Sequence, residues 1–374
     1  MAHFIRGTQG EDKEKTPLKH SKDIAHEYLR LGKMAPFKGM PGSGKPIVMR
    51  SDFVEGGGDN QRFHFIPQNR TDGIYGQNAT ILGNEESLDD YYMDLKVDVV
   101  AKAFKKKGVM TDIRTIWNFR EQSKDQLVNW FALQDDIWTI DALTGRLTNG
   151  FDYIADSAEN TTVYTNGSAR VLLARDGSAE IVADADLTKT TNTLLTTAAT
   201  TGLGMDTSNK MNSYVLDEVS VMTADGMSKY NLEPIKVENG DEYYILLIDK
   251  ISRRDLRQDS RFEQHMISVL EAGLGEDPIA TGAMGVWDNV IIKCIDGLYR
   301  WEDPNNAGDY YTRNLLLGSN ALGIGYAMEM DYTEELEDHD RLLSVAGSEV
   351  RGQTKVTFDG VDMGVAQVIC NTNA

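Results

Sequence analysis

The run "DIRTIWNFREQSKDQLVNWFALQDDIWTIDALTG", residues 112–145, carries its apolar residues Ile113, Ile116, Trp117, Leu127, Trp130, Phe131, Ile137 and Trp138 about one helical turn, or a multiple of it, apart. This spacing predicts one long amphipathic helix, with Asp112 placed to cap its start and Gly145 to close its end. Trp117, Trp130 and Trp138 are assigned to packing. Large aromatics at helical spacing form core far more often than a ligand-stacking stripe.

Upstream the period changes to two. Phe63 and Phe65 alternate with Arg62 and His64, and Met93, Leu95, Val97 and Val99 alternate with Asp94, Lys96 and Asp98. Alternation of this kind predicts strands with one wet face. Between them lies a stretch rich in Gly, Asn and Asp without helical period, "PQNRTDGIYGQNATILGNEESLDDYY". A loop of that length inside a compact domain is uncommon and usually functional. Together these pieces predict a long two-stranded excursion from the body. Residues 1–58 read as an extended arm ending in the hinge "EGGGDN", with one short helix in "SKDIAHEYLRLG" capped by Ser21 and ended by Gly32. With so little apolar content the arm is not expected to pin itself, and a partner subunit is its simplest anchor.

Downstream, residues 150–213 are rich in Thr, Ala and Asn, with a helix expected between Asp186 and Gly202. "NSYVLDEVSVMTADGMS" reads as helix or strand, and "DEYYILLIDKIS" as a buried strand. "SRRDLRQDSRFEQHMISVLEAG" reads as a helix with a capping signal from Ser252 to Asp255. Its Arg253, Arg254, Arg257 and Arg261 stand out in an acidic chain. They pair locally with Asp255, Asp259 and Glu263, or they meet an acidic neighbour. The last segments are expected to supply a strand in "GVWDNVIIKCIDGLYRWE", a small-residue helix in "RNLLLGSNALGIGYAMEMD", and a strand pair in "KVTFDGVDMGVAQVICNT".

The net charge of −20 is unevenly placed: residues 1–50 hold 10 Lys and Arg against 5 Asp and Glu, leaving 28 against 53 in the remainder. So acidic a body repels polyanions, which argues against sequence-specific nucleic-acid binding across its surface. The basic arm remains compatible with nucleic acid or an acidic neighbouring subunit. No apolar run approaches the ~20 residues that cross a bilayer, and the N-terminus lacks the apolar core of a signal peptide. The two cysteines, Cys294 and Cys370, have neither CxxC spacing nor the count of a disulfide framework, and read as reduced thiols.

"GMPGSGKP", residues 39–46, fits the phosphate-cradling pattern G-x-x-x-x-G-K-[S/T] at all but the last position. Pro46 offers no hydroxyl for Mg²⁺ and no N–H for phosphate, and neither flank has the strand or helix that such a loop requires. It reads as a flexible connection. His3, His20, His26, His64, His265 and His339 show no metal-binding spacing, and no GxSxG elbow or GxGxxG follows a strand. The acid-rich "DYTEELEDHD", residues 331–340, lacks the offsets and central Gly of a calcium loop and reads as a solvated charged loop.

Four stretches, in their order and spacing, carry a resemblance. They are "DGIYGQNATILGNEESLDDYYMDLKVDVVAKAF", "REQSKDQLVNWFALQDDIWTIDALTG", "DPIATGAMGVWDNVIIKC", and the closing "LLLGSNALGIGYAM" with "KVTFDGVDMGVAQV". The chain resembles the major capsid proteins of tailed double-stranded DNA phages, of HK-97-type fold, with its nearest likeness to the N-4-like podovirus branch. The resemblance implies an α+β fold with an N-terminal arm at 1–58 and an extended β-hairpin, or E-loop, at 59–110. A peripheral domain at 111–240 would be led by a spine helix at 112–145. An axial domain at 241–345 and return strands to the peripheral domain at 346–374 complete it.

It further implies a non-enzymatic subunit, without cofactor, that self-assembles into pentamers and hexamers of an icosahedral shell enclosing phage double-stranded DNA. The functional site is then an interface, with Arg62, Phe63, Phe65, Tyr75, Glu85, Glu86, Arg253, Arg254, Arg257 and Arg261 as contact candidates. Implied partners are further copies of the chain, scaffolding, portal and decoration proteins, and packaged DNA contacted non-specifically, with no membrane. The expected location is the virion, after assembly in the host cytoplasm. No coiled-coil scaffolding segment and no cleavage site stand out at the N-terminus, so a separate scaffold is expected. Two other classes remain open. A glycan- or cell-binding module is suggested by the Thr/Asn-rich middle and by Tyr91, Tyr92, Tyr310 and Tyr311, and a nucleotide-binding enzyme requires phosphate at "GMPGSGKP".

Overall fold

Helix α1, Phe119–Thr144, carries the long-helix pattern, and Gly145 closes it at φ 80°, a left-handed conformation that glycine adopts without strain. The computed structural model describes residues 24–25, 27–50, 60–65, 91–106, 119–147, 151, 171–175, 178–183, 209–223, 232–236, 242–271, 284–298, 300–302, 310–337, 342–358 and 361–372. The expected caps Ser21 and Asp112 and the expected helix at 186–202 lie outside them.

The first half of α1 buries one stripe, including Leu127, Val128 and Phe131, as amphipathic spacing demands. From Asp135 onward the single-stripe expectation fails. Asp135, Asp136 and Asp141 are buried while Ile137 is 39% exposed. The reason is position: Ile140, Ala142 and Leu143 pack at once against strands of two different sheets, so this half of the helix is enclosed on several sides.

The first sheet has five strands in the order β1 (Lys38–Gly39), β2 (Ile47–Arg50), β14 (Leu322–Glu337), β15 (Leu342–Lys355) and β5 (Asp98–Lys105). The pairs β1–β2 and β2–β14 are parallel, and β14–β15 and β15–β5 antiparallel. Val100, Tyr332 and Val345 on this sheet pack against Leu127 and Phe131 of α1. The second sheet runs β10 (Gly285–Trp287), β11 (Val290–Cys294), β9 (Glu242–Ile248), β13 (Tyr310–Leu317), β18 (Val365–Asn371), β6 (Val171–Arg175) and β7 (Ser178–Ala183). Short strands β8 (Ile235–Lys236) and β12 (Arg300–Glu302) add to β9 and β13. Leu246, Leu316 and Val368 of this sheet share a core with Val215, Leu216 and Val219 of α2 (Ser213–Thr223), Leu256 of α3 (Lys250–Gln258) and Phe262 of α4 (Ser260–Glu271). Strands β16 (Thr357–Phe358) and β17 (Val361–Asp362) form a small ladder, and β3 (Asn60–Phe65) pairs antiparallel with β4 (Tyr91–Lys96).

That last pair supplies the two strands expected there, while the stretch between them, 66–90, lies outside the described residues. Several other expectations are corrected. "RNLLLGSNALGIGYAMEMD" is not a helix: it forms most of β13 and the first half of β14, joined at Gly318–Ala321. An apolar run buried on both faces loses its period-two signature, and small residues then mimic a packed helix. "SRRDLRQDSRFEQHMISVLEAG" is two helices broken at Asp259 (ψ 115°), and the first is capped by Asp249, whose carboxylate accepts from Ile251 N, rather than by Ser252. The acidic run continues β14 as far as Glu337 and is not simply a loop. Residues 24–50 hold themselves against the body through Ile24, Tyr28, Met34, Phe37 and Ile47, all at most 2% exposed, so their few apolar residues suffice as anchors. A further antiparallel pair, β6–β7, lies in the stretch whose composition alone suggested little structure.

Cys370 lies fully buried in β18, and burial pushes its thiol up to about 12, keeping it protonated. No helix among the described residues is long and apolar enough to cross a membrane.

Candidate interaction surfaces

On the β3–β4 hairpin, Arg62 stands directly opposite Asp94 in register, with Nε–Oδ1 2.8 Å and Nη2–Oδ2 3.2 Å. The guanidinium lies 3.9 Å from the centre of the Tyr92 ring, itself 58% exposed. Alternation puts all three on one face, and so exposed a pair contributes little to stability by itself. It instead presents a preformed charged and aromatic surface. Phe63 and Phe65 are the backbone register partners of Met93 and Tyr91 in the ladder. Tyr75, Glu85 and Glu86 lie outside the described residues.

The four arginines are spread over two helices. Arg254 forks onto its neighbour Asp255, with Nη2–Oδ1 3.0 Å. Arg261 reaches Asp217 of α2 at 2.6 Å, beneath which the Trp287 indole donates to the other Asp217 oxygen at 3.1 Å. Arg253 is half-buried beside Cys294. Arg257 is exposed in the last turn of α3 and has no ion pair among the described residues. Arg254 and Arg257, three residues apart, therefore share an outward edge.

The sequence reading missed a buried ion cluster. Glu349 and Arg351, both 0% exposed, share one face of β15. Arg351 Nη1 meets Asp135 of α1 at 2.7 Å, its Nε lies 3.0 Å from Glu349, and its guanidinium stacks 4.7 Å over the Trp138 ring. Lys38 of β1 contacts the second Asp135 oxygen. The Tyr28 hydroxyl donates to Glu349 at 2.8 Å. The next helical residue, Asp136, accepts from the backbone N–H groups of Lys33 and Met34, both at 2.9 Å. Residues 28–38 are thus tied to the helix at several points. The visible signal was weak: "EVRGQTK" alternates polar residues, which normally marks a solvent face, and only the acids in "LQDDIW" hinted at a buried partner.

The cluster's two carboxyls shift in opposite directions. Burial alone would raise Asp135, but the Lys38 and Arg351 charges outweigh it and hold the carboxyl below its ordinary value. Burial raises Glu349 above its ordinary 4.5, only partly offset by Arg351 and the Tyr28 hydroxyl. Asp135 therefore stabilises the fold above its unfolded pKa, a contribution lost as pH falls through its folded value. Glu349 favours the fold at low pH, a contribution lost as pH rises through its raised folded value. Glu349→Gln is expected to gain stability relative to the parent as pH rises from about 4.5 toward neutrality. Urea denaturation across that range reads this directly, and a pH-independent difference would mean that Glu349 titrates alike folded and unfolded.

The "GMPGSGKP" loop passes from β1 straight into β2, so its N–H groups do not gather at a helix start as phosphate binding requires. Among the described residues, no group of three or more His, Cys, Asp or Glu is placed to hold a metal ion.

The chain is 25% identical over 306 residues to the major capsid protein of Pseudomonas phage KPP25, covering 78% of this chain and 76% of that protein. Its structure is similar to the capsid of Ralstonia phage GP4, with TM-score 0.72, 19% identity, and 91% and 90% of the two chains covered. The cyanophage Pam1 capsid asymmetric unit gives TM-score 0.67 at 18% identity, covering 100% and 97%. The fold is of HK-97 type. A family model described as phage capsid protein matches residues 19–372, so this α+β chain, with its long helix α1 and its β3–β4 pair, belongs to the phage capsid protein family.

Proposed function

We propose that the protein is a major capsid protein whose copies form the pentamers and hexamers of an icosahedral shell around phage double-stranded DNA. The observation that carries this reading is the family match from residue 19 to residue 372 on an HK-97-type fold. In it, residues 59–110 form the E-loop, whose last strand β5 joins the five-stranded sheet of the peripheral domain led by the spine α1, and the nine-stranded sheet with α2, α3 and α4 belongs to the axial domain. The terminal strand β18 pairs with β13 and β6, which favours counting it with the axial sheet, while β15 belongs with the spine. The Arg62–Tyr92 face and the Arg254–Arg257 edge are the contact surfaces offered to neighbouring copies. Many modest contacts of this kind, repeated in every copy, add up to a stable closed shell.

Scaffolding, portal and decoration proteins are the further partners in this reading, with assembly in the host cytoplasm. The acidic body leaves packaged DNA weakly held and free to slide. Replacing residues 62–94 with a short Gly-Ser turn, which keeps the buried Leu95 and its register partner Gln61, is expected to leave a folded subunit, judged by circular dichroism and a cooperative unfolding transition, that no longer forms shells in sedimentation velocity. Shells at the parent's yield would sink the interface role of the hairpin.

A further inference from the structure

The buried ion cluster and the root of the hairpin lie back to back on one strand. Arg351 and Gly352 are consecutive in β15, so their side-chain directions oppose. Arg351 points to Asp135, Glu349 and Trp138, with the Tyr28 hydroxyl on Glu349 and Lys38 on Asp135. On the other side, the backbone where β4 leaves for the hairpin crosses Gly352: a Cβ there would sit 2.0 Å from the Lys96 carbonyl oxygen and 3.3 Å from the Leu95 side chain. Leu95 is fully buried, and Asp98, where β5 begins, is the register partner of Arg351.

We propose that this strand segment is a two-sided latch: the Tyr28–Glu349–Arg351–Asp135–Lys38 cluster couples the N-terminal segment to the hairpin root, so neither loosens without the other. The physical basis is rigidity. Close-packed, charge-paired strands transmit displacement rather than absorbing it, and β15 at this point is held from both faces. Loss of the tyrosine–carboxylate bond frees Glu349 and Arg351 to shift, which moves Gly352 under the Lys96 carbonyl. Displacing that carbonyl has the reciprocal effect on Arg351, and thus on Tyr28 and Lys38. The latch is a property of the single chain and does not rest on the shell reading.

Hydrogen–deuterium exchange on the full, unassembled chain tests it with two variants. Tyr28→Phe removes only the hydroxyl, and Gly352→Ala pushes on the Lys96 carbonyl. Each is expected to speed exchange roughly fivefold or more in both residues 27–50 and residues 91–99. Strands β9 and β13 are expected to stay at the parent rate. Acceleration confined to the segment nearest the substitution would overturn the coupling, as would no change in Tyr28→Phe or equal acceleration throughout the chain. Arg62→Ala, beyond the root, is expected to leave residues 27–50 unchanged. If Gly352→Ala does not fold, the Tyr28→Phe result alone decides.

Discussion

Replacing Asp135 with alanine is expected to destabilise the subunit by about 3–5 kcal/mol, the usual cost of leaving buried charge uncompensated. Among the described residues its carboxylate is the one group that pairs with both Lys38 and Arg351, and the Asp135 and Arg351 side chains are at most 2% exposed. Removing it leaves two cations in an enclosed site beside Glu349 alone. The same logic predicts a contrast. Replacing Lys38, Asp135, Glu349 and Arg351 together with Met, Leu, Gln and Met removes the charges in company, and is expected to cost far less than the single change. Urea denaturation of the three proteins measures both, and a single-variant loss below about 1 kcal/mol would mean that water reaches the cluster.

Phe131→Ala is expected to cost a comparable amount, about 3–5 kcal/mol, through a cavity rather than through charge. The ring is fully buried, edge-on to Trp130 at 4.8 Å and 5.8 Å from the Tyr28 ring. A Cβ on Gly347 of β15 would lie 3.3 Å from it, so helix, N-terminal segment and sheet all close on this one side chain. Collapse from three rigid elements at once is difficult, which places the expected cost high in the usual range. Leu133→Ala, two residues along and 56% exposed, is expected to stay within about 0.5 kcal/mol and serves as the control in thermal or urea unfolding.

These two sites differ in how well the sequence announces them. Phe131 belongs to the periodic stripe of α1 and is readable directly, as are Gly145 at the helix end, the period-two strands β3 and β4, and the apolar strand β9. Each has a local pattern whose partner is water on one side or apolar core throughout. The residues Lys38, Asp135, Glu349 and Arg351 have no such pattern, since charged residues in a strand or helix normally mark the solvent face and only tertiary enclosure reverses that. The same enclosure concealed β13 and the first half of β14, where burial on both faces erased the alternation. Asp259 broke the arginine helix for a reason equally remote in sequence: its carboxylate accepts from Ser213 N at 2.7 Å as well as from Arg261 N at 3.0 Å. Of the proposed contact candidates, Arg62, Arg254, Arg257 and Arg261 are legible only as exposed charge, because in the proposed reading what would complete an interface lies on another copy of the chain.

The most direct measurement is sedimentation with negative-stain microscopy of the purified full-length protein, alone and with its candidate scaffold, over a range of salt. Pentamers, hexamers or closed shells of uniform diameter are the predicted result. A strictly monomeric species under every condition would contradict the assignment as a shell-forming subunit.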